Sequence, residues 1–194
     1  MRRDLITSIL AILVFTVVLG LAYPLATTGV SQVLFPGKAD GSRVEEKGKV
    51  VGSSLIGQDF KADPRYFQSR PSVTGYNPAG TYFNNLGPNQ KDLRDMFRDN
   101  IAAYLDLERP FNPGLAAKDV PVDAVSTSAS GVDPHISEAN AAIQARRVSE
   151  TRGLALERVQ ELIDDNTDGR SLGFLGEPGV NVLELNLALD RETA

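Results

Sequence analysis

Residues 5–26 read LITSILAILVFTVVLGLAYPLA, and no charged residue falls between Leu5 and Gly37. A span of about 22 residues at about 1.5 Å per residue is about 33 Å long, enough to cross a hydrocarbon core of about 30 Å. Eleven strongly apolar side chains lie between Ile6 and Leu21. Each favours insertion by roughly 0.3–0.6 kcal/mol near the bilayer centre. Thr7, Ser8 and Thr16 oppose them, while a helix satisfies its own backbone groups as hydrocarbon demands. Pro24 falls near the far end, where a break is tolerable. The stretch therefore predicts a membrane helix.

Arg2 and Arg3 precede this span, and the next basic residue is Lys38. Basic flanks stay on the cytoplasmic side, so the N-terminus is expected in the cytoplasm and everything after about Ala26 outside it. The rival reading is a cleaved signal peptide, whose apolar core runs for roughly 7–15 residues to an A-x-A-like site. This run is longer and closes on Tyr23-Pro24-Leu25-Ala26. The expected organisation is a cytoplasmic stub and transmembrane helix over 1–27, a connector over 28–48, and one exported domain over 49–194. That makes a single-pass membrane protein with one exported domain, and the lack of cysteine fits a bacterial inner membrane with that domain in the periplasm.

Residues 38–194 suffice for one domain with its own core. The whole chain carries a net charge of −5. Arg2, Arg3 and Asp4 leave the first 37 residues at +1, so the remainder carries −6. Such a domain offers no basic surface to nucleic acid. Without cysteine there is neither a disulfide framework nor a thiolate metal site. His135 is the single histidine, which excludes a multi-histidine metal centre.

Along the exported part, Gly37 to Gly48 reads as a charged connector, and 49–60 (KVVGSSLIGQDF) as a short strand or two with a turn at its glycines. Asp63-Pro64, Arg70-Pro71 and Asn77-Pro78 punctuate 61–88, which is expected to be irregular. A helix is expected from about Gln90, capped by Asn89, with Leu93, Met96, Phe97, Ile101, Tyr104 and Leu105 on one face and a stop at Glu108-Arg109-Pro110. Residues 120–128 (VPVDAVSTS) read as a strand. Ser137 reads as the N-cap of a helix that Gly153 stops, and a third helix follows to Asp165. Leu183, Leu185, Leu187 and Leu189 alternate with polar or small residues, a period of two that predicts a half-buried strand. The fold class is α+β.

Ser126, Ser128, Ser130, Asp133 and His135 suggest a serine hydrolase. The nucleophile elbow G-x-S-x-G is missing, however, and Asp133-Pro134-His135 reads better as a turn. The helix pair around Gly153 (QARRVSETRGLALERVQELI) has the outline of a helix-turn-helix, but helical hairpins are common packing units. Neither the phosphate loop G-x-x-x-x-G-K-[ST] nor G-x-G-x-x-G occurs. The loop 81–90 (TYFNNLGPNQ) leads into a helix N-terminus and offers Asn85, Gly87 and Gln90 to an anion, with a capped turn as the plainer alternative.

Several segments together resemble one family. They are Gly52-Ser53-Ser54-Leu55-Ile56-Gly57-Gln58, Tyr66-Phe67-Gln68-Ser69-Arg70-Pro71-Ser72, Tyr76-Asn77, Asn85-Leu86-Gly87-Pro88, SASGVDPHIS at 128–137, and GFLGEPGVNVLELNLAL at 173–189. In this order, and with the N-terminal anchor, the chain resembles the C subunit of the bacterial Kdp potassium-transporting ATPase. Val132 stands where Leu is usual, and 91–118 is longer and more charged than the family pattern. The resemblance implies a non-catalytic accessory subunit. Its partners would be a channel-like A subunit that binds and conducts K⁺, a P-type B subunit that hydrolyses ATP, and a small F subunit. It implies a role in assembly, and alternatively a catalytic chaperone that raises the nucleotide affinity of the B subunit.

The predicted topology leaves only about Met1 to Asp4 in the cytoplasm, where ATP is bound. Any effect on ATP affinity is therefore expected to be indirect, with ATP and K⁺ handled by the complex and no cofactor or metal bound by this chain. Candidate partner contacts are Ser8, Thr16 and Gly20, small residues near one stripe at multiples of four on the membrane helix, together with Arg70, Asp133 and His135 in the exported domain.

Overall fold

The computed structural model describes residues 1–80, 82 and 84–193. The chain divides into two compact units, one ending at Ser53 and the other beginning at Ser54.

The first unit opens with α1 (Arg2–Val17), a π-helical turn (Val18–Ala22) and α2 (Tyr23–Leu34), which form one uninterrupted helix. Over Arg2–Leu34 this run is apolar and long enough to cross a membrane, and none of its residues is buried within the protein. Pro24 does not break it. Proline removes one N–H and crowds the preceding turn, and the wide turn just before it absorbs that misfit. The helix continues to Leu34, into the stretch read as connector. After α3 (Pro36–Ala39), β1 (Arg43–Glu46) and β2 (Lys49–Ser53) pair antiparallel as a hairpin. The supposed connector up to Gly48 thus contains a strand. Lys47 and Gly48 both have positive φ and make its tight turn.

The second unit is α+β, as its sequence suggests. Among the described residues of 61–88 there is no helix or strand. Helix α4 (Lys91–Glu108) follows and stops where expected. Its N-cap is Gln90 rather than Asn89, and the Gln90 side chain accepts the Gly87 N–H at 2.9 Å instead of bonding into the helix. After a 3₁₀ turn (Ala117–Asp119) comes α5 (Val122–Val125), one helical turn where a strand was expected. Pro121 supplies the N-cap, and Ala124 and Val125 are buried side by side, which a strand would send to opposite faces.

Next are β3 (His135–Ile136), α6 (Glu138–Arg152), α7 (Leu156–Asp165), β4 (Thr167–Asp168), β5 (Gly179–Asn181) and α8 (Val182–Glu192). Ser137 caps α6 by accepting the Asn140 N–H at 3.1 Å, and Gly153 ends it in the left-handed region at φ 68°. β5 lies between β3 and β4, antiparallel to both. The predicted terminal strand is instead α8. Val182, Leu185, Asn186 and Leu189 are its buried face, a spacing of three and four, and Asn181 caps it by accepting the Glu184 N–H. Leu, Ala and Glu are strong helix formers, so propensity and cap outweigh the coincidental alternation.

The core joins α6, α7, α8 and the small sheet through Ala141, Ala145, Val148, Val159, Leu162, Val180, Leu185 and Leu189. Phe67, fully buried, enters it from the irregular stretch. That stretch has no ladder to satisfy its backbone, so side chains do it. Asn186 bonds both the N–H and the carbonyl of Phe67, at 2.9 and 3.0 Å. Gln144 accepts the Gln68 N–H at 2.7 Å, and Arg147 donates to the carbonyls of Pro64 and Tyr66. Asn140, Gln144 and Arg147 form a buried polar stripe along α6, which Glu108 completes from α4 with a 2.8 Å ion pair to Arg147.

Candidate functional site

The segment 128–135 is fixed against the irregular stretch by close backbone approach. Gly57 N–H donates to the Val132 carbonyl at 2.8 Å, and a Cβ at residue 57 would stand 2.4 Å from the Asp133 carbonyl oxygen. Gly131 takes φ 72°, and its carbonyl accepts from Ser72 at 2.5 Å. A side chain at either glycine would force this turn away. The turn delivers Asp133 and His135 to one wall of a cleft of about 320 Å³, with Arg70 entering from the irregular stretch, Asp168 from the end of β4 and Glu177 from the connection to β5.

Arg70 Nη1 meets Asp133 Oδ2 at 2.8 Å, and Arg70 Nη2 donates to the Ser126 hydroxyl at 3.3 Å. The other carboxylate oxygen of Asp133 accepts the backbone N–H of His135 at 3.0 Å. His135 Nε2 lies 2.9 Å from Asp168 Oδ2. Tyr76 donates its hydroxyl to the Arg70 carbonyl at 2.6 Å, and burial pushes its phenol up to about 12, so it holds Arg70 as a donor at any ordinary pH. Arg70 Nε is buried without a hydrogen-bond partner.

Arg70, Asp133 and His135, singled out separately in the sequence, therefore converge. Asp168 and Glu177 complete the cleft and were missed, because an acid in a Gly-rich loop reads as solvated surface. The arrangement suits polar recognition more than nucleophilic chemistry. Ser126 faces Arg70, Ser130 accepts the Val132 N–H, and Ser137 donates to Asp123, so His135 bonds no serine among the described residues. Nor do the described residues bring three His, Asp or Glu side chains together for a metal ion.

Asn85, Gly87 and Gln90 lie elsewhere. Asn85 lines a separate hollow of about 230 Å³ with Leu93, Met96 and Ser128, and the Gly87 N–H is already taken by Gln90. Thr81 and Phe83, at the start of that loop, are outside the described residues. Ser8 and Thr16 belong to α1 and Gly20 to the π turn. Ser8 turns its hydroxyl back to the Asp4 carbonyl at 2.9 Å, the usual resolution for a hydroxyl on an apolar helix.

One apolar helix long enough to span a bilayer, followed by a small α+β domain with a charged cleft, fits a single-pass membrane protein. The family described as KdpC, the c chain of the K⁺-transporting ATPase, matches residues 5–191. A potassium-transporting ATPase KdpC subunit from Bradyrhizobium diazoefficiens is 47% identical, covering all of both chains. Its counterpart in Mycobacterium tuberculosis is 48% identical over 98% of this chain and all of that one, and that of Koribacter versatilis is 45% identical over 98% and 95%. The chain belongs to the KdpC family.

Proposed function

We propose that this chain is a non-catalytic accessory subunit of a potassium-transporting ATPase. Its N-terminus lies in the cytoplasm, its helix crosses the inner membrane, and its α+β domain stands in the periplasm. There it docks on the K⁺-conducting A subunit and helps hold the A, B and F subunits together. The family match over nearly the whole chain carries this reading. The exposed apolar run Arg2–Leu34 supports the anchor, and the engagement of the serine hydroxyls near His135 supports a non-catalytic role. Any influence on ATP affinity acts by favouring particular conformations of the complex.

The test is reconstitution of the transporter with and without this chain. Recovery of A bound to B should fall when it is omitted, and K⁺-dependent ATP hydrolysis should fall with it. Undiminished assembly and uptake in its absence would refute the proposal.

A further inference from the structure

We infer that the loop joining β4 to β5 is the element that seats the domain on a membrane-embedded partner subunit, with Leu172, Phe174 and Leu175 entering an uncharged apolar socket. This rests on the accessory-subunit reading above. The three side chains are 83, 69 and 50% exposed within four residues of sequence. From Ser54 onward, the other large apolar side chains among the described residues that are this exposed, Leu55, Tyr82 and Val122, stand singly. Clustered apolar exposure of this kind marks an interaction site, whereas scattered exposure is ordinary.

The loop is also held in shape at a cost. Ser171 and Leu175 exchange two backbone hydrogen bonds of 2.9 Å. Arg170 ties the far arm by donating to the Gly176 carbonyl at 2.8 Å and pairing with Glu177 at 2.5 Å. Leu172 sits in the left-handed region at φ 55°, which a leucine adopts only under constraint. A strained residue left this exposed gains little packing in the free domain, and such outliers point to function.

Three observations favour a protein socket over lipid. A preformed loop lowers the ordering cost of docking into a fixed shape, an advantage a fluid bilayer does not reward. Arg170 is neutralised by Glu177, and residues 38–194 carry −6, so anionic headgroups gain nothing from this surface. The loop is also continuous with the charged cleft, since Asp168, Gly169, Glu177 and Pro178 at its base line that cleft. Docking of the tip would bring Arg70, Asp133 and His135 to the rim of the interface, where charges set orientation more than strength.

The experiment co-expresses the full chain with the other transporter subunits and captures the complex through a tag on the A subunit. The triple variant Leu172→Ser, Phe174→Ser, Leu175→Ser should melt like the parent chain, because its side chains lie outside the core, yet its recovery with the A subunit should fall about tenfold or more. Normal recovery of the variant, with the parent chain also recovered, overturns the loop assignment and leaves the subunit reading standing. Failure of the parent chain itself to be captured overturns both. Since the chain has no tryptophan, Phe174→Trp placed alone in nanodiscs of brominated phosphatidylcholine separates the remaining occupant. Unquenched emission supports a protein socket, and strong quenching puts the tip in lipid and overturns the inference.

Discussion

Glu108 and Arg147 are both fully buried, and their 2.8 Å pair anchors the polar stripe that organises the irregular stretch. Removing one partner strands the other charge, so Glu108→Ala is expected to destabilise the chain by about 3–5 kcal/mol in a denaturant titration. Burial is the larger influence on the Glu108 carboxyl and raises it above its ordinary value of 4.5, with Arg147 pulling it back only in part. A raised carboxyl means that the native state holds its proton more tightly than the unfolded chain. The associated stability is fully present below pH 4.5 and lost as pH rises through the native value. Wild type should therefore lose stability relative to Glu108→Gln as pH is raised from 4.5 toward neutrality, and a constant difference would contradict this assignment. At the α6 cap, Ser137 accepts from Asn140 and donates to Asp123 at 2.7 Å. Ser137→Ala is expected to cost about 1 kcal/mol, read as a lowered melting temperature. This cap was legible because Ser followed by a helical pattern and Gly153 has one mechanical meaning. The stripe Asn140, Gln144, Arg147 has visible spacing too, but Gln144 and Arg147 serve to bond carbonyls of residues some 80 positions away in sequence, which no local pattern discloses.

At the scale of elements, helices with caps and stops could be read from sequence, whereas two segments of alternating character could not. In α5 and α8 the alternation is accidental, and what decides the structure is a cap at one end and the placement of buried residues against a core not yet known. Asn186 shows this well: in a strand reading it is the polar outward residue, yet in α8 it faces inward and holds both backbone groups of Phe67. Of the first hairpin, β2 falls within the strand expected over 49–60, whereas β1 was hidden for the opposite reason, since its charged, largely exposed residues lack an apolar face to announce it. In the membrane helix, the space beside Gly20 is open, with only Thr16 Cγ2 approaching to 3.9 Å of a Cβ placed there. Gly20→Leu should therefore leave the helix intact by circular dichroism while lowering copurification with the channel-like subunit, because small residues let helices approach closely in lipid. Equal recovery of Gly20→Leu would remove this residue from any packing seam.

Across the whole molecule, a 33-residue helix that opens with Arg2 and Arg3 and is otherwise mostly apolar is followed by a domain of acidic balance. Without a phosphate loop and with the Gly87 amide already bonded, and on the proposed topology across the membrane from cytoplasmic nucleotide, the chain is expected to show no saturable ATP binding in the low micromolar range by calorimetry. The proposed docking on partner subunits from the periplasm requires that topology, so sidedness is the claim on which the account depends. Because the natural chain has no cysteine, a single Ala129→Cys in the exposed turn before Gly131 gives an unambiguous reporter. Treated with a membrane-impermeant maleimide, spheroplasts carrying this variant should be labelled fully without lysis. Labelling that appears only after lysis would place the domain in the cytoplasm and contradict the account.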